Sequence, residues 1–226
     1  GNTLELISPD LDNSLPENWS CINTNGSPNA ENGSPVVETC PSSQIVLSTQ
    51  QEVDSFSTTY DIANCTFDGG IKIEGTDITN LDGLSGLSIV NGSFDISDNS
   101  TLNDISGLSE LSTIGGNLQI YNNVILESVD GFSSLTSVGG DMLVSRNDAL
   151  TDLSGLSGLN TVSGGLNISR NTMLSNCDIA LICYETVVAD VSNIYENTGN
   201  CLDLATAEAA CTLVPLICPS DEILLT

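Results

Sequence analysis

The stretch Phe94-Asp95-Ile96-Ser97-Asp98-Asn99-Ser100-Thr101-Leu102 decides the fold, because its pattern is written again every 24 residues. Phe94 returns as Leu118, Met142 and Leu166, and Ile96 as Ile120, Val144 and Ile168. Asn99 returns as Asn123, Asn147 and Asn171, and Leu102 as Leu126, Leu150 and Leu174. Later in each unit come Ile105/Val129/Leu153, Leu108/Phe132/Leu156, Leu111/Leu135/Leu159 and Ile114/Val138/Val162. An earlier copy runs Ile71, Ile73, Ile78, Leu81, Leu84, Leu87 and Val90, one residue shorter near its start.

A fixed period in this range is the signature of a solenoid. The apolar positions recur every two or three residues, too densely for one amphipathic helix. The chain is therefore predicted to be mainly β, a parallel β-solenoid of about five 24-residue coils over residues 71–174. Each coil would carry a short strand such as Phe94-Asp95-Ile96 and two tighter corners, with equivalent strands stacked in parallel about 4.8 Å apart. One coil cannot bury its apolar face alone, whereas stacked coils share a continuous core. The Asn column suits inward side chains that bond loop backbone, one above the next. Gly92, Gly116, Gly140 and Gly164, before the strand, and Gly83, Gly107, Gly131 and Gly155, at the second corner, suit bends where a Cβ would clash or φ must be positive.

A solenoid needs caps at both ends. Residues 40–70 read as the N-terminal cap: Ile45-Val46-Leu47 as a strand, Ser48–Gln51 with capping-box spacing, and Thr49–Thr59 as a short helix presenting Val53, Phe56 and Tyr60. Cys40 and Cys65 would bracket it with a disulfide. Residues 175–217 read as the C-terminal cap, with Ile179 and Ile182 at helical spacing, a final strand over Val191–Ile194, and a helical stretch between Cys201 and Cys211. Its four cysteines allow three pairings; Cys177–Cys201 with Cys183–Cys211 is the expected one, and the others stay open. Cys21 and Cys218 are left over and could join each other, neighbouring modules or subunits. Cys218-Pro219-Ser220-Asp221-Glu222-Ile223-Leu224-Leu225-Thr226 repeats Cys40-Pro41-Ser42-Ser43-Gln44-Ile45-Val46-Leu47-Ser48 at an offset of 178 residues. Residues 218–226 thus read as the start of a following module or as a strand that completes a neighbouring subunit.

Composition narrows the function. Thirty acidic and three basic residues give a formal charge of −27, with no His. Such a surface opposes nucleic acid and anionic membranes, which need Lys and Arg, and suits solubility in a salty outside medium. Calcium held by Asx- and Glu-rich loops is the second reading of the acidity, although no stretch matches an EF-hand loop; no other cofactor is expected. Eight cysteines without His or a CxxC pair point to disulfides and an extracellular or cell-surface location. No run of 18 apolar residues is present.

Two resemblances follow from these motifs. Cys40 to Phe56, Thr76-Asp77-Ile78-Thr79-Asn80-Leu81-Asp82-Gly83-Leu84, and the cysteine tail from Cys177 to Cys211 together resemble the receptor L domain. They are most similar to its copies in large secreted surface proteins of Bacteroidetes-type bacteria. The resemblance implies a right-handed, leucine-rich-repeat-like β-helix over residues 40–217, surface exposure, modular arrays and interaction roles, without catalysis. Leu4-Glu5-Leu6-Ile7-Ser8-Pro9, then Leu11-Asp12-Asn13, Asn18-Trp19 and Gly26-Ser27-Pro28-Asn29-Ala30, resembles the closing part of a bacterial lamin-tail-like β-sandwich. Residues 1–39 would then be its terminal strands; read without the resemblance, they are a linker.

Catalysis lacks its usual signals: there is no His for general-base work, no nucleophile elbow and no phosphate loop. The basic residues are better organised. Lys72 is the outward residue of the first strand, and Arg146 and Arg170 share one repeat position. The expected binding face carries Lys72, Tyr121, Leu143, Arg146, Asn167 and Arg170, and would dock an acidic partner such as another copy of the chain. In the alternative, the two arginines only pair with Asp148 or nearby carboxylates. Two functions follow: a structural or adhesive module in a tandem array or self-assembling filament, or a receptor-like module gripping a glycan or protein. Copies of itself or neighbouring modules are the expected partners.

Overall fold

The computed structural model describes residues 3–6, 19–22, 40–62, 64–177, 182 and 188–211. The chain divides into two compact units, Gly1–Glu38 and Thr39–Thr226, one residue before the boundary expected from composition. In the first unit, β1 (Thr3–Leu6) and β2 (Trp19–Ile22) pair antiparallel. Residues 178–181, 183–187 and 212–226 lie outside the described residues. With them go Ile179, Cys183 and its expected pairing with Cys211, and the Cys218–Thr226 repeat.

The second unit is dominated by one ten-stranded sheet in which every pairing is parallel. One ladder runs through β3 (Ile45–Leu47), β4 (Ile71–Ile73), β6 (Phe94–Ser97), β8 (Leu118–Tyr121), β10 (Met142–Ser145), β11 (Thr161–Ser169) and β12 (Val188–Tyr195). A second joins β5 (Ile89–Val90), β7 (Thr113–Ile114), β9 (Ser137–Val138) and the start of β11. The sequence period becomes the register: Phe94 pairs with Leu118, Leu118 with Met142, and Met142 with Leu166. Each unit therefore carries a second, two-residue strand that the sequence reading treats only as a corner. In the last unit the path stays extended, so the nine-residue β11 belongs to both ladders.

Alternation along each strand explains the burial. Phe94, Ile96, Leu118, Ile120, Val144, Leu166 and Ile168 are fully buried and form one continuous core with the leucine columns. Each such side chain contributes about 1.5–3 kcal/mol by leaving water. Phe94 and Phe132 meet edge to face at 6.4 Å. Between the ladders each unit makes one three-residue 3-10 turn: Asp82–Leu84, Ser106–Leu108, Asp130–Phe132 and Ser154–Leu156. At the centre of the second turn sits Gly107, where a Cβ would run into the Leu81 carbonyl oxygen of the turn before it. This column needs glycine because neighbouring turns stack backbone on backbone, and not for a positive φ.

The Asn column is a buried hydrogen-bond ladder. Asn123 Nδ2 donates to the Ile96 carbonyl (2.9 Å) and to Asn147 Oδ1 (3.2 Å), while the Asn123 backbone N–H donates to the same oxygen (3.0 Å). Asn99, Asn147 and Asn171 repeat the arrangement. Each amide so satisfies both its protons and its oxygen, which burial requires. The ladder has a fifth member, Asn197, which lies 26 residues beyond Asn171 instead of 24 and so falls outside the sequence period. A second column, also unmarked by the period's apolar pattern, caps the 3-10 turns. Asn80, Asp104, Ser128 and Asp152 each accept the backbone N–H two residues on.

The caps differ in detail from expectation. The predicted single helix over Thr49–Thr59 breaks at Ser55 into α1 (Gln50–Asp54) and α2 (Phe56–Thr59). The capping box is formed one residue later than its predicted spacing, by Thr49 and Glu52, because Glu52 reaches back to the N–H groups of both Ser48 and Thr49. Val53 and Phe56 are buried, and Tyr60 packs against the core. Gln50 grips the first repeat: its Oε1 accepts from the backbone N–H groups of Thr79 and Asn80 and its Nε2 donates to the Asn80 carbonyl. At the other end β12 extends beyond the predicted Val191–Ile194, and α3 (Leu204–Ala210) is capped by Asp203, which accepts from Thr206 N at 2.8 Å. Disulfides Cys40–Cys65 and Cys177–Cys201 close the two ends, both pairings named above. Cys211 is also disulfide-bonded.

Candidate binding face

The ladder dictates what the adjoining surface looks like. Between the last strand residue and each ladder Asn, the chain must reverse direction in one step, and that step is left-handed. Asp98, Asn122, Arg146, Arg170 and Glu196 all have φ between 54° and 60°. Asn and Asp tolerate this region better than other non-glycine residues. Two arginines and a glutamate hold the last three places, so the sequence puts long charged side chains where short ones strain less.

Their partners differ. Arg170 Nε donates to Glu196 Oε2 at 2.8 Å, and this bond raises the pKa of the guanidinium. Arg146 makes no salt bridge among the described residues; its guanidinium carbon lies 5.9 Å from the centre of the Tyr121 ring. The guanidinium of Arg170 lies 5.7 Å from the ring centre of Tyr195. Asp148, the expected alternative partner, instead takes a hydrogen bond from Thr172 Oγ1 at 3.3 Å. Carboxylate pairing therefore holds for Arg170, through Glu196 in place of Asp148, and among the described residues not for Arg146.

Between the two tyrosines the strand ends are small. Ser145 and Ser169 are buried, with their hydroxyls 3.2 Å apart, while Tyr121 and Tyr195 stand half-buried at the same strand position. Three strand-to-strand steps separate the rings, roughly 14 Å at about 4.8 Å per step. Beside this strip lies a surface cleft of about 320 Å³ lined by Asn122, Arg146, Asp148, Arg170, Thr172 and Glu196. Val124, Ile125 and Met173 are exposed apolar residues in the turns next to it. Tyr195 and Glu196 escape a reading based on the 24-residue period, because they belong to the strand displaced by the 26-residue step.

The remaining predicted face residues lie farther away. Leu143 and Asn167 are side-by-side partners on β10 and β11, half-buried; Asn167 Oδ1 accepts no hydrogen bond among the described residues. Lys72, on β4, is separated from β10 by β6 and β8 and binds Glu74 at 2.6 Å, so it does not join the arginines. The Glu74 hydrogen bond raises the Lys72 pKa, and partial burial holds the neighbouring Asp95 carboxyl above the usual carboxylate range. A second cleft, about 450 Å³, lies between β3 and the helices of the N-terminal cap, lined by Val46, Phe56 and Tyr60 among others.

Among the described residues no three His, Cys, Asp or Glu side chains are placed to hold a metal ion, and no helix is long and apolar enough to cross a membrane. The disulfides fit an oxidising compartment. Comparison with protein-family models, with curated proteins and with solved structures returns no match, so the face is read from its own chemistry.

Proposed function

We propose that the chain is a non-enzymatic extracellular module, structural or adhesive, built on a parallel β-solenoid that resembles the receptor L domain. The all-parallel sheet, the 24-residue register and the stacked ladder Asn residues support that architecture. One observation carries the functional reading. Among the described residues, β3 pairs on one side only, whereas β12, at the opposite end of the long ladder, also carries an antiparallel bridge from Tyr195 to Asp203. The free edge of β3 can accept a strand from a like module, and a head-to-tail contact of that kind extends without closing. The repeat of the Cys40–Ser48 motif at Cys218–Thr226 supports the same reading, with modules following one another or meeting as subunits. With Cys183 paired to Cys211 as expected, Cys21 and Cys218 remain to link them.

The test is the mass of the protein from its native source, with and without reductant. A ladder that collapses on reduction means covalent linkage through cysteines. A large mass that survives reduction means one chain of tandem modules or a non-covalent filament, which denaturation separates. A single monomeric species under both conditions overturns the assembly reading. A second reading, a receptor-like module that binds a ligand on its sheet face, is favoured by the unpaired Arg146 beside its cleft.

A further inference from the structure

We propose that the strip from Tyr121 to Tyr195, with Arg146 and Arg170 above it, binds a saccharide carrying a carboxylate, a uronic-acid-type residue within a longer glycan. The inference rests on the reading of the chain as a non-enzymatic adhesive or receptor-like module and names the ligand class of its sheet face.

Four observations converge. Arg146 is a cation without a salt bridge among the described residues, in a protein with 30 acidic side chains from which a partner could have been drawn. Its backbone is held at φ 60°, so the guanidinium springs from a rigid step next to the buried ladder. An arginine kept at a left-handed position where Asn or Asp strains less is the kind of local conflict that marks a working site. Tyr121 and Tyr195 flank buried serines, and each ring lies under a guanidinium, Arg146 over Tyr121 and Arg170 over Tyr195. Asn122 and Thr172 add amide and hydroxyl groups to the cleft, and the two carboxylates that line it are already engaged, Asp148 by Thr172 and Glu196 by Arg170.

Each feature matches part of a uronic acid. The guanidinium fork takes the carboxylate through two parallel N–H donors. The Tyr121 ring beneath the guanidinium holds the fork in place, and the amide and hydroxyl take ring hydroxyls. Charge decides between a glycan and an acidic protein. A formal charge of −27 repels a polyanionic protein ligand from this face. An isolated carboxylate on an otherwise neutral saccharide meets little of that repulsion once salt screens fields beyond about 8 Å.

The probe is a tetramer of three neutral sugars and one glucuronic acid, titrated calorimetrically into the full chain in 0.15 M salt, beside its carboxyl-reduced counterpart and a tetraglutamate peptide. The expected result is binding of the uronate alone, weakened about ten- to a hundredfold in Arg146→Gln, the scale of one lost charge-assisted hydrogen bond. Arg146→Lys keeps the charge without the fork and should recover only part of the loss. Tyr121→Leu, at a half-exposed site, should weaken binding while the fold, read by circular dichroism, is unchanged. Failure to bind the uronate, equal binding of the reduced tetramer or of tetraglutamate, or full affinity in Arg146→Gln overturns the proposal. These outcomes leave the assembly reading standing, because native mass tests that separately. Cleavage of the tetramer would instead overturn the non-enzymatic reading.

Discussion

Asn147→Leu tests whether the Asn ladder holds the stacked repeats together. The side chains are close in size, so packing changes little and the loss is one of hydrogen bonds. Removing the amide leaves the Ile120 carbonyl, the Asn123 backbone N–H and one proton of Asn123 Nδ2 buried without their partner. Asn171 Oδ1 keeps one donor, the residue-147 backbone N–H. Each buried group left unmade costs about 1–3 kcal/mol, and the leucine returns about 1–2 kcal/mol of apolar burial. The net loss is about 1–8 kcal/mol, centred near 4–5 kcal/mol, against a total stability of about 5–15 kcal/mol for an ordinary domain. Urea unfolding followed by far-UV circular dichroism, with disulfides intact, measures it. Asn99→Leu, at the first rung, orphans the Gly75 N–H and the Ile73 carbonyl but no ladder amide proton, and should lose about 1 kcal/mol less. A loss below about 1 kcal/mol for Asn147→Leu would show that the rungs do not depend on one another's amides, and would refute the reasoning.

Two more perturbations follow from the corners. Gly107→Ala forces a Cβ into the Leu81 carbonyl oxygen and should cost about 3 kcal/mol, whereas Gly158→Ala, where the nearest atom lies 3.2 Å away, should be close to neutral; paired melting curves decide it. Hydrogen bonds from the Ser154 side chain and backbone hold the Asp152 carboxyl below its usual pKa. Its folded value is therefore below its unfolded one. The stability it contributes is present above the unfolded value of about 3.9 and is lost as pH falls through the folded value. Melting temperatures between pH 7 and pH 2.5 should fall less steeply in Asp152→Asn than in the parent; identical slopes would refute the link.

Much of this architecture is legible in the chain because a repeat states its long-range contacts locally. Ile96 and Ile120 reveal their pairing by their spacing, since stacked units of equal length bring equivalent positions together. The Asn ladder is legible for the same reason: a polar residue that recurs within an apolar pattern must be satisfied inside it. The helix break at Ser55 is not legible, because Thr49–Thr59 has continuous helical periodicity and docking on the first repeat decides where it bends. Nor is the turn-capping column of Asn80, Asp104, Ser128 and Asp152, whose changing residue types share only an oxygen at one place.

The sequence by itself determined the period, the inward columns and hence the parallel register of the central repeats. Only the tertiary structure decided the character of the binding face. The step from Asn171 to Asn197 is two residues longer than the period, and it brings Tyr195 and Glu196 beside Arg170 while Arg146 lies against Tyr121. Two arginines at one repeat position look alike in the sequence. What separates them is the neighbouring unit each one reaches, and that is set by a register shift outside the repeat.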